Sequence, residues 1–330
     1  MILNNIKISS SLFGKVFETS SSFANRNKDL SNQFYHTGYF ASLAFLALVL
    51  PSIFFNEYIF YASGNTAINF FAGVIFAAVV CFLSFIFKFL TLSGALAAFL
   101  LAIPIFGFGG FKWSLPVLTF FIFSSILSRY REYRNPELKN IFAKSDRRDH
   151  IQVFANGGVA GLLVVINRIF FQGDSELIYA VFVSSLAAVC ADTWGTEIGT
   201  LFKKKTFNIL NFRTVSPGSS GGISVPGTLG AAAGALIIVL SSLFWVSQNI
   251  FYYIILISAA GISGSIVDSI LGASVQRKNI CAVCRNFTER LEHCGETVKH
   301  YSGFKWLSND VVNFCCSVSG ALFTLFFKLV

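Results

Sequence analysis

Two carboxylates stand at the end of a strongly apolar run in the stretch VCADTWGTEIGTLFKKK, residues 189–205. Asp192 and Glu197 follow the apolar segment 180–190, and Lys203 begins a Lys triplet a few residues later. Carboxylates bind divalent cations such as Mg²⁺, whereas Lys and Arg side chains bind phosphate oxygens. The stretch therefore predicts a site for Mg²⁺ and phosphate, with Asp192 and Glu197 as catalytic and metal-binding residues.

The spacing of the two acids sets a condition on this site. Five residues at about 100° each place the two side chains about 140° apart on a helix. Asp192 and Glu197 can reach one ion only if the helix unwinds or ends at Gly195. Otherwise the two carboxylates hold different partners.

Other polar side chains lie in apolar segments near the same predicted membrane face. Asp268 lies in GSIVDSILGASVQ, Asn156 in QVFANGGVAG, and Asp310 and Asn313 in WLSNDVVNF. Acids inside a bilayer are costly and usually functional. We predict Asp268 as a third catalytic residue that binds Mg²⁺ or orients the acceptor, and Asn156 and Asn313 as phosphate- or nucleotide-binding residues. The alternative is that each one caps a helix or lies in the interface.

The Gly- and Ser-rich segment VSPGSSGGISVPGTLG, residues 215–230, enters an apolar run. Successive backbone N–H groups and a helix N-terminus bind phosphate well. The glycines alternatively serve close helix packing, and the nearby cations alternatively set only the membrane topology. No GxxxxGK[ST] pattern occurs, which excludes a P-loop. The predicted phosphate- or nucleotide-binding residues here are Gly218, Ser219, Ser220, Gly221, Gly222, Lys203 and Arg148.

A second group of potential ligands lies in CAVCRNFTERLEHCGE, residues 281–296. A CxxC pair followed by adjacent His and Cys offers four nitrogen and sulfur ligands, which suit tetrahedral Zn²⁺. Four protein ligands leave no open position, so such a zinc would be structural. The alternative is a loop with free thiols. The predicted ligands are Cys281, Cys284, His293 and Cys294.

The composition shows that membrane helices must position these residues. Apolar residues make up 54% of the chain and charged residues only 12%, about half the usual charged share. We therefore predict an all-α bundle of membrane-spanning helices, since a span needs about 20 mostly apolar residues. Two short spans are tilted or broken at Pro104 and Pro116. The nine predicted spans are 39–55, 67–90, 94–108, 115–128, 153–171, 177–199, 222–246, 250–275 and 311–330.

The Lys and Arg residues indicate the orientation of these spans. With the N-terminus in the cytoplasm, almost all of them fall in cytoplasmic segments; the exceptions are Lys112, Arg168 and Lys328. The net charge of +9 is thus a topology signal, and we expect no nucleic-acid partner. Residues 1–36 form a polar cytoplasmic tail, and a bacterial inner membrane is the default location.

The motifs SRYRE, QVFANGG, ADTWGTEIG, SPGSSGGISVPGTLG, GSIVDSILGA and WLSNDVVNF occur in this order. Together they resemble the integral-membrane family of transmembrane protein 19 and plant phytyl-phosphate kinase. The resemblance covers residues 92–330, so residues 37–91 form two additional spans and residues 276–309 a cysteine-containing cytoplasmic loop. It implies a kinase that uses CTP or UTP to convert an isoprenyl monophosphate into a diphosphate.

Three functions remain open from the sequence. The first is the lipid-phosphate kinase with Mg²⁺, a nucleoside triphosphate and a membrane lipid or isoprenyl phosphate as ligands. The second is a transporter or flippase, because broken Gly-rich helices and buried acids also suit ion-coupled transport. The third is a non-catalytic membrane scaffold in which the acids only cap helices.

Overall fold

The computed structural model describes residues 66–135, 147–172 and 175–329. Seven helices in this part of the chain are long and apolar enough to cross a membrane, which confirms the predicted polytopic helical fold. The predicted span 39–55 and the polar tail lie outside the described residues. The helices are α1 (Thr66–Ile86), α2 (Leu92–Arg134), α3 (His150–Phe170), α4 (Glu176–Leu201), α5 (Val225–Ser242), α6 (Ile250–Ser274) and α7 (Asn309–Leu329).

Helix α2 contains two of the predicted spans, separated by a sharp break at Gly110. Gly110 has φ 57° and ψ −153°, a backbone conformation that is open essentially only to glycine. The chain doubles back there. This is shown by Gly94 in the first half and Phe121 in the second half, which both lie against Arg148. Pro104 and Pro116 remain inside helical segments. Of the two predicted alternatives, the break at the prolines is therefore wrong, and the tilt of these spans stays a prediction.

Helix α4 is the centre of the bundle. In its most apolar window 78% of the residues are buried, against at most 44% in any other candidate span, and α4 contacts α2, α3, α5, α6 and α7. Glycines bring α5 close to it: a Cβ on Gly230 would lie 2.7 Å from the Trp194 carbonyl oxygen, and one on Gly234 would lie 2.6 Å from that of Cys190. These glycines thus serve close helix packing.

One end of the bundle, which we call the polar end, carries two small β-structures. It contains the C-termini of α4 and α6 and the N-termini of α3, α5 and α7. The first β-structure lies between α4 and α5 and pairs β1 (Thr206–Asn208) with β2 (Thr214–Val215) and β3 (Gly222–Ile223). The second lies between α6 and α7 and consists of β4 (Lys278–Ile280), β5 (Phe287–Thr288), β6 (Glu292–His293), β7 (Glu296–Thr297) and β8 (Lys299–Ser302).

Candidate functional site

A polar cavity of about 390 Å³ opens among the helix ends and loops of the polar end. It joins side chains from α3, α4, α6 and α7 with the Gly- and Ser-rich loop. Lys203 is exposed and does not line it. The predicted site residues that do line it are Asn156, Asp192, Glu197, Asp268, Asn313, Arg148, Gly218, Ser219, Ser220, Gly221 and Gly222.

Asp192 of α4 and Asp268 of α6 face each other in this cavity. Their carboxylates are close enough to interact electrostatically, and Asp268 Oδ2 is buried without a hydrogen-bond partner among the described residues. Two adjacent carboxylates repel each other unless a cation or a shared proton lies between them. Asn313 and Asp310 line the same cavity. The carboxylate and amide oxygens that these four residues offer are of the type that a hard divalent cation such as Mg²⁺ prefers.

Glu197 has different partners, because α4 continues without interruption through Gly195 to Leu201. Its Oε2 accepts a hydrogen bond from Arg131 Nε at 2.6 Å, and its Oε1 accepts one from Ser128 Oγ at 2.7 Å. Both groups come from the end of α2. The ion pair is buried, with side-chain exposures of 11% and 9%. The structure thus joins Glu197 to a cation and leaves Asp192 facing Asp268.

The Gly- and Ser-rich loop forms one wall of the cavity and leads into α5. Ser224 caps that helix, accepting a hydrogen bond from the Gly227 N–H at 3.2 Å. Gly218 and Gly221 adopt left-handed φ values of 85° and 75°. A Cβ on Gly221 would lie 2.5 Å from Ala273 Cβ on α6. Glycine is therefore required at position 221 both by the backbone conformation and by the close approach of the helix.

We expect Gly221→Ala to destabilise the protein by about 2 kcal/mol or more, because it combines a left-handed backbone with a steric clash. The matched control is Gly158→Ala, since a Cβ at this helical glycine meets nothing within 4 Å. Thermal unfolding in detergent should show a lower melting temperature for Gly221→Ala only. Equal melting temperatures for both variants would contradict the tight packing of the loop on α6.

Arg148 lies between the polar cavity and an apolar cavity of about 100 Å³ that is lined mainly by α1, α2 and α3. Arg148, Gln152 and Asn156 line both cavities. The guanidinium lies 5.1 Å from the Phe120 ring centroid. Burial lowers the pKa of Arg148 to about 10, so that it remains a cation at neutral pH. A partly desolvated cation at the junction attracts an anionic group.

Three residues of this site carry no recognisable signal in the sequence. Arg131 belongs to the SRYRE motif, where its charge indicates only the membrane topology. Glu289 and Gln276 lie in the cysteine-containing segment, whose pattern predicts only the metal ligands. Glu289 Oε1 accepts hydrogen bonds from Ser220 Oγ and Gln276 Nε2, both at 2.9 Å. No spacing rule connects these residues, which are distant in sequence.

Most of this chain matches a known protein family. The integral membrane protein family DUF92 matches residues 75–321. The chain belongs to this family. The matched range contains every residue of the polar cavity, and the family placement predicted from the ordered motifs is confirmed.

The relatives include plant and archaeal proteins. Protein PGR of Arabidopsis thaliana is 31% identical over 263 residues, which cover 73% of this chain and 90% of PGR. An uncharacterised membrane protein of Methanocaldococcus jannaschii is 29% identical over 219 residues, covering 66% and 87%.

A second plant relative is described as chloroplastic. The chloroplastic protein VTE6 of Arabidopsis thaliana is 28% identical over 233 residues, which cover 68% of this chain and 61% of VTE6. No solved structure matches the chain significantly. Because this relative is chloroplastic, the bacterial inner membrane stays a prediction for this chain.

Proposed function

We propose that this protein is an integral-membrane phosphotransferase that resembles isoprenyl-phosphate kinases. It would use CTP or UTP with Mg²⁺ at the polar end, on the cytoplasmic side of the membrane. The observation that supports the proposal is the pair of cavities that share Arg148, Gln152 and Asn156 as lining residues. The polar cavity suits an anionic head, and the adjacent apolar cavity suits the first part of an isoprenyl chain. The family resemblance indicates the same substrate class.

The proposed reaction transfers the terminal phosphoryl group of the nucleotide. An oxygen of the isoprenyl monophosphate forms a bond to the γ-phosphorus, the bond from that phosphorus to the β–γ bridging oxygen breaks, and a nucleoside diphosphate leaves. The acceptor phosphate is largely ionised at neutral pH, so the step needs no strong general base. Catalysis then consists of positioning and neutralisation of charge.

Each part of the cavity has a role in this reaction. Asp192 and Asp268 would hold Mg²⁺, which supplies charge neutralisation to the nucleotide phosphates when bound. The backbone N–H groups of residues 218–222 would bind phosphate oxygens. Arg148 would hold the acceptor phosphate at the mouth of the apolar cavity. Glu197 would act as a positioning residue that fixes the guanidinium of Arg131 at the cavity wall.

The test is transfer of labelled phosphate from CTP, UTP or ATP to farnesyl, geranylgeranyl or phytyl phosphate by the purified protein. We expect a labelled diphosphate product that requires Mg²⁺. No product with any nucleotide, from protein shown to be folded, would contradict the proposal. Uptake by the same preparation in liposomes would then support a transporter, and absence of uptake would support a scaffold.

The apolar cavity predicts how the length of the acceptor's isoprenyl chain affects catalysis. Ala98 lines this cavity, so Ala98→Phe should fill part of it. We expect the variant to lower kcat/KM for phytyl phosphate by about tenfold or more, while the short acceptor dimethylallyl phosphate is turned over as before. Leu96→Phe is the matched control, because Leu96 lies on the same helix with 59% of its surface exposed. An equal loss with both acceptors would place the lipid chain elsewhere.

A further inference from the structure

Four potential metal ligands converge at the polar end, away from the carboxylates of the cavity. One ligand atom from each of Cys281, Cys284, His293 and Cys294 lies within 4.8 Å of all the others. His293 Nδ1 lies 3.5 Å from Cys284 Sγ and 3.2 Å from Cys294 Sγ. Tetrahedral Zn²⁺, with bonds of about 2.3 Å to sulfur and 2.0 Å to nitrogen, holds such atoms about 3.5 Å apart. We infer that these four residues bind a structural zinc ion.

Two tight turns present the four ligands. Strands β4 and β5 flank a turn with Cys281 and Cys284, in which the Arg285 N–H donates to the Cys281 carbonyl at 3.0 Å. Strands β6 and β7 form a hairpin with Cys294 and Gly295 at its tip. Their φ values of 55° and 78° are typical of a type I′ turn. Arg285 also has a left-handed φ of 57°. Such strain at non-glycine residues persists only where other interactions compensate it.

The segment 276–309 has almost no apolar core of its own to supply that compensation. Leu307 and Cys281 are its buried apolar residues. A small unit with so little buried apolar surface needs a metal or a covalent staple to keep one structure, and none of the described cysteines forms a disulfide. The large apolar side chains that remain exposed are Val283, Phe287, Leu291, Tyr301, Phe304 and Trp306.

The zinc ion also determines where Glu289 lies. Glu289 follows Cys284 by five residues and precedes His293 by four, so it is held between the two ligand turns. Its carboxylate contacts Ser220 of the phosphate-binding loop and the buried side chain of Gln276. Zinc would thus fix an acidic positioning residue against the wall of the polar cavity. The metal site itself does not depend on the proposed function, whereas this coupling to the cavity rests on it.

The experiment measures metal in the full-length protein purified without chelators. We expect about one zinc per chain, and Co²⁺ exchanged into the site should show thiolate-to-cobalt charge transfer and the intense visible bands of tetrahedral coordination. His293→Ala and Cys284→Ser should lose the metal. His300→Ala and Cys315→Ser should retain it, because His300 lies in the same segment on β8 and Cys315 in α7, outside the ligand set.

Three results would overturn the zinc site. They are wild-type protein that binds neither zinc nor tetrahedral cobalt, ligand variants with wild-type zinc content, and a Cys281–Cys284 disulfide recovered by alkylation and mass spectrometry. None of these measurements requires phosphotransfer activity, so the zinc site and the proposed function fail separately.

A chelator should also speed tryptic cleavage at Arg285 and Arg290 by about tenfold or more. An unchanged cleavage rate would contradict a structural role.

A substitution of Glu289 tests whether the zinc site is coupled to the polar cavity. Glu289→Ala should retain zinc, because the side chain is not a ligand. It should nevertheless raise the KM for the nucleotide as zinc removal does, since both changes release the Ser220 contact. A nucleotide KM that responds to zinc removal but not to Glu289→Ala would contradict transmission through Glu289.

Discussion

Asp192→Asn is expected to stabilise the metal-free protein while abolishing its response to Mg²⁺. In a chelator no cation lies between Asp192 and Asp268 in the cavity, so the two carboxylates either repel each other or must share a proton. Replacing one carboxylate by an amide removes that cost. We expect the melting temperature in a chelator to rise by a few degrees, equivalent to about 1 kcal/mol. Such a gain in stability on substitution is typical of residues that are retained for function at the expense of stability.

In the presence of Mg²⁺ the substitution should have the opposite effect and make the protein less stable than the wild type. A cation that binds only the folded protein stabilises it by about 2.7 kcal/mol at a hundred times its Kd. The wild-type protein should therefore melt at a higher temperature with Mg²⁺, and Asp192→Asn should not. Its phosphotransfer rate should fall by at least about a hundredfold, since the charge neutralisation is lost. Asp268→Asn should give the same two effects.

Glu176→Gln is the matched control for these variants. Glu176 lies in the first turn of the same helix, α4, at the opposite end of the bundle. Its replacement should alter stability by only a few tenths of a kcal/mol through the helix dipole and should leave the Mg²⁺ response intact. If Asp192→Asn kept the full Mg²⁺ stabilisation, the facing acids would not be the metal site.

Arg131→Ala should be the most destabilising single substitution considered, by about 3–5 kcal/mol. Arg131 donates to Glu197 in a buried ion pair, at 2.6 Å between Nε and Oε2. Removing the cation leaves a buried carboxylate that keeps the hydroxyl of Ser128 as a donor and the guanidinium of Arg148 as a more distant charge. The cost arises mainly from the loss of the directly hydrogen-bonded cation. Chemical or thermal unfolding in detergent measures it.

The double variant Arg131→Met with Glu197→Gln distinguishes this cause from a general packing defect. It removes both charges while keeping side chains of similar size, so most of the lost stability should return. Arg134→Ala, three residues along the same helix and exposed, should change stability by no more than about 0.5 kcal/mol. A double variant as unstable as Arg131→Ala would show that packing, rather than charge, sets the cost.

The amino-acid sequence alone determined the membrane character and most of the spans. Long apolar runs have only one stable solution in lipid, because a helix satisfies its own backbone hydrogen bonds. The distribution of polar residues likewise predicted which helices would meet. Asn156, Asp192, Asp268 and Asn313 come from four different helices, and each lies near an end that the alternating topology brings to one face.

Only the tertiary structure decided which polar groups interact. Helical spacing put Asp192 and Glu197 on different sides of α4, but the identity of their partners, Asp268 and Arg131, depends on how α6 and α2 pack. The break at Gly110 was also invisible in the sequence, where the prolines were the more conspicuous candidates. A glycine breaks a helix only where packing demands a conformation that other residues cannot adopt, and that demand arises from neighbours distant along the chain.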